Sequence, residues 1–135
     1  MVKENGRKLV NNPLVLENGK YHMDYEDMEQ KITEEQVKLF LLCSPHNPVS
    51  RVWTKEELCK TAEICKKHNV IMIVDEIHCD FVYEGYHHTS FGTLSEYADN
   101  AVICTAPSKT FNLAELQLSN IMIPNPELRK TFQQR

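Results

Sequence analysis

At 135 residues the chain has the length of one domain and can bury a real core. Apolar residues make up 41% and charged residues 25%, the balance of an ordinary globular protein. A formal net charge of −4, with no Lys/Arg cluster in any segment, argues against a nucleic-acid partner, and no apolar run approaches the roughly 20 residues that a membrane helix needs.

Five cysteines (Cys43, Cys59, Cys65, Cys79 and Cys104) form no Cys-x-x-Cys pair. An odd count scattered through apolar segments reads as buried thiols in a reducing compartment rather than a disulfide framework. The opening MVKENGRKLV has no apolar run behind its charges, unlike a secretory signal. A cytoplasmic protein is expected.

A first short helix is expected from Asp24, with Tyr25, Met28 and Ile32 as its apolar side. Residues 37–43 (VKLFLLC), 70–74 (VIMIV) and 101–105 (AVICT) are almost continuously hydrophobic, as strands covered on both faces of a sheet are. Between the first two lies a helix announced by Thr54 and Glu57, a capping box, with Glu56 also in its first turn. Leu58, Ala62 and Cys65 form its inward stripe, flanked by Cys59 and Ile64. Lys66, Lys67 and His68 collect where the helix dipole favours positive charge, and Asn69 can end it. Strand, helix, strand at this spacing is a βαβ unit with parallel strands and a right-handed crossover. The stretch around Gly85 (YEGYHHTSFG) reads as an irregular loop, and residues 112–115 as a connector. A last strand over residues 118–123 (LSNIMI) is expected to run antiparallel, and Pro126 opens a final helix. There is no repeat and no linker, so one domain is expected.

Ligands of open α/β sheets collect beyond the carboxyl ends of the parallel strands. There the sequence places Ser44-Pro45-His46-Asn47-Pro48, Asp75-Glu76-Ile77-His78 and Ala106-Pro107-Ser108-Lys109-Thr110. An amide, a carboxylate and an amine thus follow three successive strands. Singly each has an ordinary reading: Asn47 before proline as a turn residue, Asp75 as a turn cap, Lys109 in a Ser-Lys-Thr loop as a solvated side chain. His78, His87 and His88 lack zinc-ligand spacing, and no metal is expected.

Together SPHNP, VDEIHCDFVYEG and TAPSKTFNLAELQ, with NPLVLENGKYHMDYEDMEQKI nearer the start, closely resemble the fold-type I pyridoxal-phosphate enzymes. Within these they look most like the carbon–sulfur β-lyases allied to cystathionine β-lyase and the maltose-regulon modulator. The resemblance implies the α/β fold of the aminotransferase large domain: three layers, α/β/α, around a mostly parallel sheet. It implies pyridoxal 5′-phosphate as cofactor and a small amino-acid substrate. Lys109 matches the lysine whose amine condenses with the cofactor aldehyde, a role that a desolvated site favours by keeping the amine neutral. Asp75 matches the carboxylate that pairs with the pyridine nitrogen, and Asn47 the amide that hydrogen-bonds the phenolic oxygen. His78 stands where most aminotransferases of this fold carry tyrosine, as in the lyase branch. Ser108 and Thr105 match hydroxyl donors to the phosphate.

Relatives of this kind are longer. By that resemblance, residues 1–135 form the central part of the large domain, without the glycine-containing phosphate loop and ring-stacking aromatic on the N-terminal side. The small domain with its substrate-gripping arginine is missing on the other. Glu115 stands where relatives have glycine, and strain is expected there if the backbone is left-handed. Gln117 replaces the arginine that aminotransferases place near the phosphate. The implied reaction is β-elimination from cystathionine or a cysteine conjugate to thiol, pyruvate and ammonia. The alternatives are an aminotransferase using the same residues and a truncated chain without catalysis. A homodimer is implied by the family alone.

Overall fold

The computed structural model describes residues 2–134. They divide into two compact units, one running to Lys38 and the other starting at Leu39.

The first unit holds a hairpin that the sequence reading above passes over. Strands β1 (Val15–Glu17) and β2 (Lys20–His22) pair antiparallel, with Glu17 opposite Lys20. Between them Asn18 (φ 49°) and Gly19 (φ 75°) both adopt the left-handed backbone that a two-residue hairpin turn requires. The Asn-Gly dipeptide carries the signal, and strands of three residues are too short to show alternation. Helix α1 (Tyr25–Glu34) begins as expected: the Asp24 side chain accepts from the Asp27 backbone N–H at 3.0 Å, and Met28 and Ile32 are buried.

The second unit is built on a four-stranded sheet in the order β3-β4-β5-β6. Strand β3 (Leu39–Cys43) leads through helix α2 (Lys55–Lys67) to β4 (Ile71–Asp75), its parallel neighbour. Strand β5 (Ala101–Thr105) adds a third parallel strand. After one helical turn, α3 (Pro107–Thr110), strand β6 (Asn120–Met122) pairs antiparallel with β5, and α4 (Pro126–Gln133) follows. The mostly parallel α/β architecture is as read from the sequence. Residues 108–110, read there as loop, are helical.

Both ends of α2 follow from its residues. Thr54 accepts from the Glu57 N–H while Glu57 accepts from the Thr54 N–H, completing the capping box. At the other end Asn69 turns left-handed (φ 55°), and the Val70 N–H reaches the Cys65 carbonyl at 2.8 Å. Leu58, Ala62 and Cys65 are fully buried, joined by Thr61, whose hydroxyl bonds the Glu57 carbonyl.

Residues paired across neighbouring strands share a face of the sheet. Leu42, Val74 and Ile103 form one such row, all buried on the side where α2 packs against β4. Trp53 and Phe91, both wholly inaccessible, complete this core. The opposite row, Leu41, Ile73 and Val102, is covered far less. There Leu128 and Phe132 of α4 border an open groove at Val102, while Leu39 and Leu41 remain more than half exposed. The expectation of helices on both faces is thus met fully on one side and partly on the other.

Glu76, the first residue past β4, points into the covered side and is 2% exposed. Its carboxylate accepts from the Phe91 N–H at 2.6 Å and the Ser90 hydroxyl at 2.9 Å, with His88 Nε2 3.5 Å away. This ties the irregular loop 83–92 to the end of the central strand. All five cysteines are free, but only Cys65 is buried; the other four are half-buried, less enclosed than their apolar surroundings suggest.

Thr54→Ala removes one half of the capping box and is expected to cost about 1 kcal/mol in urea unfolding. Glu76→Ala strands two donors in the core and is expected to cost about 1–3 kcal/mol by the same measurement. Burial pushes the Cys65 thiol up from 9.0 to about 12. Across that window the unfolded chain releases a proton that the folded chain keeps, so stability falls as pH rises from 9.0 towards about 12. Urea midpoints of the native chain and Cys65→Ala across this window test that, the variant being expected to lose this part of the slope.

Candidate functional site

The three parallel strands end at one level. Cys43 lies opposite Asp75, and Asp75 opposite Cys104. The ladder runs one step further, through Ser44 N–H to the Asp75 carbonyl (2.9 Å) and Glu76 N–H to the Cys104 carbonyl (2.8 Å). Three segments therefore leave the sheet side by side, about 4.8 Å from strand to strand.

The first carries Asn47. Its two X–Pro bonds, Ser44–Pro45 and Asn47–Pro48, are cis, and the loop is closed by paired backbone bonds between His46 and Arg51. Trp53 anchors it from below: the indole N–H donates to the Cys43 carbonyl at 2.9 Å. The His46 ring meets the indole edge-on at 5.8 Å, and the Arg51 guanidinium lies 4.7 Å from its centroid while pairing with Glu57. Burial holds the His46 imidazole below its ordinary value, favouring the neutral ring beside Trp53. Asn47 itself is exposed at the loop's tip.

The second carries Asp75 and His78. Strand alternation sends Asp75 and Glu76 to opposite faces, one to solvent and one to the core. Asp75 Oδ1 accepts from the Ile77 N–H at 3.0 Å, so the turn-cap role considered for this carboxylate is present. On either side of it the Cys43 and Cys104 thiols are pushed up, chiefly by burial and further by the negative charge of Asp75. Both stay protonated at neutral pH, which leaves Asp75 between two uncharged neighbours. His78 is half-buried, its ring edge-on to Phe81 at 6.1 Å.

The third carries Thr105, Ser108 and Lys109. Thr105 ends β5 opposite Asn120, whose side-chain amide donates to the Thr105 hydroxyl at 3.3 Å. Pro107 starts the α3 turn at its first position, where no N–H is needed. Ser108 is half-buried, and its carbonyl accepts from the Leu113 N–H at 3.0 Å. Lys109 is exposed, so this chain alone does not supply the desolvation expected around its amine. Glu115 lies exposed in the 3-10 turn Ala114–Leu116 and has no left-handed backbone; the expected strain is absent there. The positive φ falls instead on Asn112 (54°) and Gln117 (49°).

A carboxylate at the end of β4, an amide beyond β3 and an amine beyond β5 thus follow three adjacent strands in the order read from the sequence. Two residues that position them were missed. Glu76 was legible in principle, since the residue after a strand-end aspartate faces the other way. Trp53 carried no signal beyond its size. Among the described residues no three His, Cys, Asp or Glu side chains converge as a metal site would require, and no helix is long and apolar enough to cross a membrane.

Residues 1–135 match the model of the family Aminotransferase class I and II. Cystathionine beta-lyase PatB of Bacillus subtilis (strain 168) is 48% identical over 133 residues, which are 98% of this chain and 34% of that protein. Cystalysin from Treponema denticola, whose crystal structure contains a pyridoxal 5′-phosphate cofactor, superposes with a TM-score of 0.92 at 42% identity, covering 97% of this chain and 34% of that one. A PLP-bound protein from Clostridium difficile 630, provisionally called an aminotransferase, superposes with a TM-score of 0.91 at 50% identity, covering 96% and 33%. The chain spans about a third of the length of these relatives. With the family match along its whole length and the fold shared with these structures, the chain belongs to the aminotransferase class I and II family.

Proposed function

We propose that residues 1–135 are the central, cofactor-holding part of the large domain of a pyridoxal-phosphate-dependent carbon–sulfur β-lyase. The observation that carries this is the common level of the three strand ends, where Asp75 stands and beyond which Asn47 and Lys109 follow in the chain. The donor set fits the cofactor: a carboxylate for a ring nitrogen, an amide for a phenolic oxygen and an amine for an aldehyde. When bound, pyridoxal 5′-phosphate supplies a ring that draws electron density from the substrate's α-carbon.

Each residue then has a defined task. Asp75 would keep positive charge at the pyridine nitrogen, helped by thiol neighbours that carry none. Asn47 would donate to the phenolic oxygen. Lys109 would hold the cofactor through its aldehyde and could carry the proton to and from the α-carbon as general base and acid. Ser108 and Thr105 are assigned to the phosphate, the Thr105 hydroxyl retaining its donor capacity while it accepts from Asn120. His78, beside the carboxylate segment, replaces the tyrosine of aminotransferases. Loss of the β-thiolate from cystathionine or a cysteine conjugate, with a proton taken up to give thiol, would leave an enamine that water hydrolyses to pyruvate and ammonia. Little turnover is expected of these 135 residues alone, because none is assigned to the substrate carboxylate and Lys109 stays exposed. A cytoplasmic location, supported by five free thiols, and a homodimer, as the family forms, belong to the same proposal.

One observation favours a second reading. The Clostridium difficile relative at 50% identity carries an aminotransferase name. An aminotransferase would use the same three residues but return the proton to the cofactor side and require a keto-acid acceptor.

Absorbance titration of the purified chain with pyridoxal phosphate is expected to give a visible-edge band that borohydride abolishes, leaving the added mass on the Lys109 peptide. Lys109→Ala is expected to show neither. A native chain without the band would remove the cofactor-holding role. Pyruvate release from cystathionine without any keto acid separates lyase from aminotransferase.

A further inference from the structure

We infer that Asp80 is a positioning residue for Lys109, acting through Thr110. This rests on the reading of Lys109 given above and extends it to two residues with no assigned role.

The turn that carries Lys109 has little to hold it. Helix α3 is four residues long, has no side-chain cap at Ala106 and contains no buried residue. Isolated turns of that length do not sustain themselves, because one hydrogen bond does not offset the cost of fixing several dihedrals. Pro107 sets the entry, and the bonds from Phe111 N–H to the Pro107 carbonyl (2.9 Å) and Leu113 N–H to the Ser108 carbonyl (3.0 Å) close the turn on itself. None of these ties it to the neighbouring strand end.

That tie is made by Thr110. Its hydroxyl donates to Asp80 Oδ2 at 2.6 Å, across 30 residues of sequence. The length is that of a charge-assisted bond, stronger than a neutral one. Asp80 is a sound anchor because its own segment is fixed. The Phe81 N–H bonds the His78 carbonyl and the Cys79 N–H the Glu76 carbonyl, both at 2.9 Å. Glu76 in turn is buried against Ser90 and Phe91. The bond therefore links the segment bearing Asp75 and His78 to the turn bearing Lys109. It sets the amine relative to the carboxylate, the two groups that must meet opposite ends of one ring.

Four variants test this: Asp80→Ala, Thr110→Val, the double variant, and Thr110→Ser, which keeps the hydroxyl. Hydrogen–deuterium exchange at the Phe111 and Leu113 amides, measured without cofactor, is expected to quicken about three- to tenfold in either single variant. The double variant is expected to add nothing further, and Thr110→Ser to stay close to native. The rate at which Lys109 captures pyridoxal phosphate, read by borohydride trapping on its peptide, is expected to fall in the same order with the melting temperature unchanged. Unmoved exchange, or additive effects in the double variant, overturns the tether whatever the cofactor does. Faster exchange with a native capture rate overturns the positioning role. Absence of capture by the native chain counts against the proposed function alone, and the tether then stands or falls on the exchange data.

Discussion

Everything at the candidate site depends on the parallel register of β3, β4 and β5. Parallel strands joined by a crossover start and stop on the same sides of the sheet, so whatever follows each strand emerges at a common edge. Here the register is fixed by the buried row Leu42, Val74 and Ile103, since slipping any strand by one residue would turn it out of the core. The same constraint sets Cys43, Asp75 and Cys104 side by side on the other face. A carboxylate flanked by neutral thiols, with an amide loop to one side and a lysine turn to the other, is a consequence of hydrophobic registration. No contact among the three polar groups themselves is needed to bring them together.

Rigidity at this edge comes from beneath it. The Asn47 loop rests on Trp53, which is fully buried and bonded to the last carbonyl of β3. The Asp75 segment rests on Glu76, whose carboxylate is spent on Phe91 and Ser90. A buried carboxylate is costly unless its acceptor sites are filled, and two donors converge here. The Lys109 turn is the contrast, with no buried side chain of its own and, among the described residues, a side-chain bond from Thr110 to Asp80. Two of the three groups are thus held from the core and the third from the surface. Local mobility follows low burial, so the Lys109 turn is the least restrained of the three.

The opposite sheet face shapes what these residues can do by themselves. Leu39, Leu41 and Ile121 are exposed there, and α4 borders the sheet only near Val102. Asp75 and Lys109 are both exposed to solvent. The open groove beside Val102 and the exposure of Lys109 leave both the sheet face and the amine in contact with water.

The sequence by itself determined the parts whose cause is local or periodic. The capping box at Thr54, the Asn69 stop, the Asp24 cap and the three hydrophobic strand runs all appear where their residues placed them, because each answers to neighbours within a few positions. The order of amide, carboxylate and amine along the edge was legible too, since the βαβ rule converts chain order into spatial order. The Asn18-Gly19 hairpin carried a readable dipeptide but strands too short to confirm it. What only the tertiary structure decided are relations between distant segments. Glu76 buries because Ser90 and Phe91 arrive to satisfy it. Thr110 finds Asp80 across 30 residues. Glu115 escapes strain because the left-handed position falls on Gln117. Local pattern records what a residue prefers, while such pairings depend on which remote donors folding delivers, and no window of sequence contains both partners.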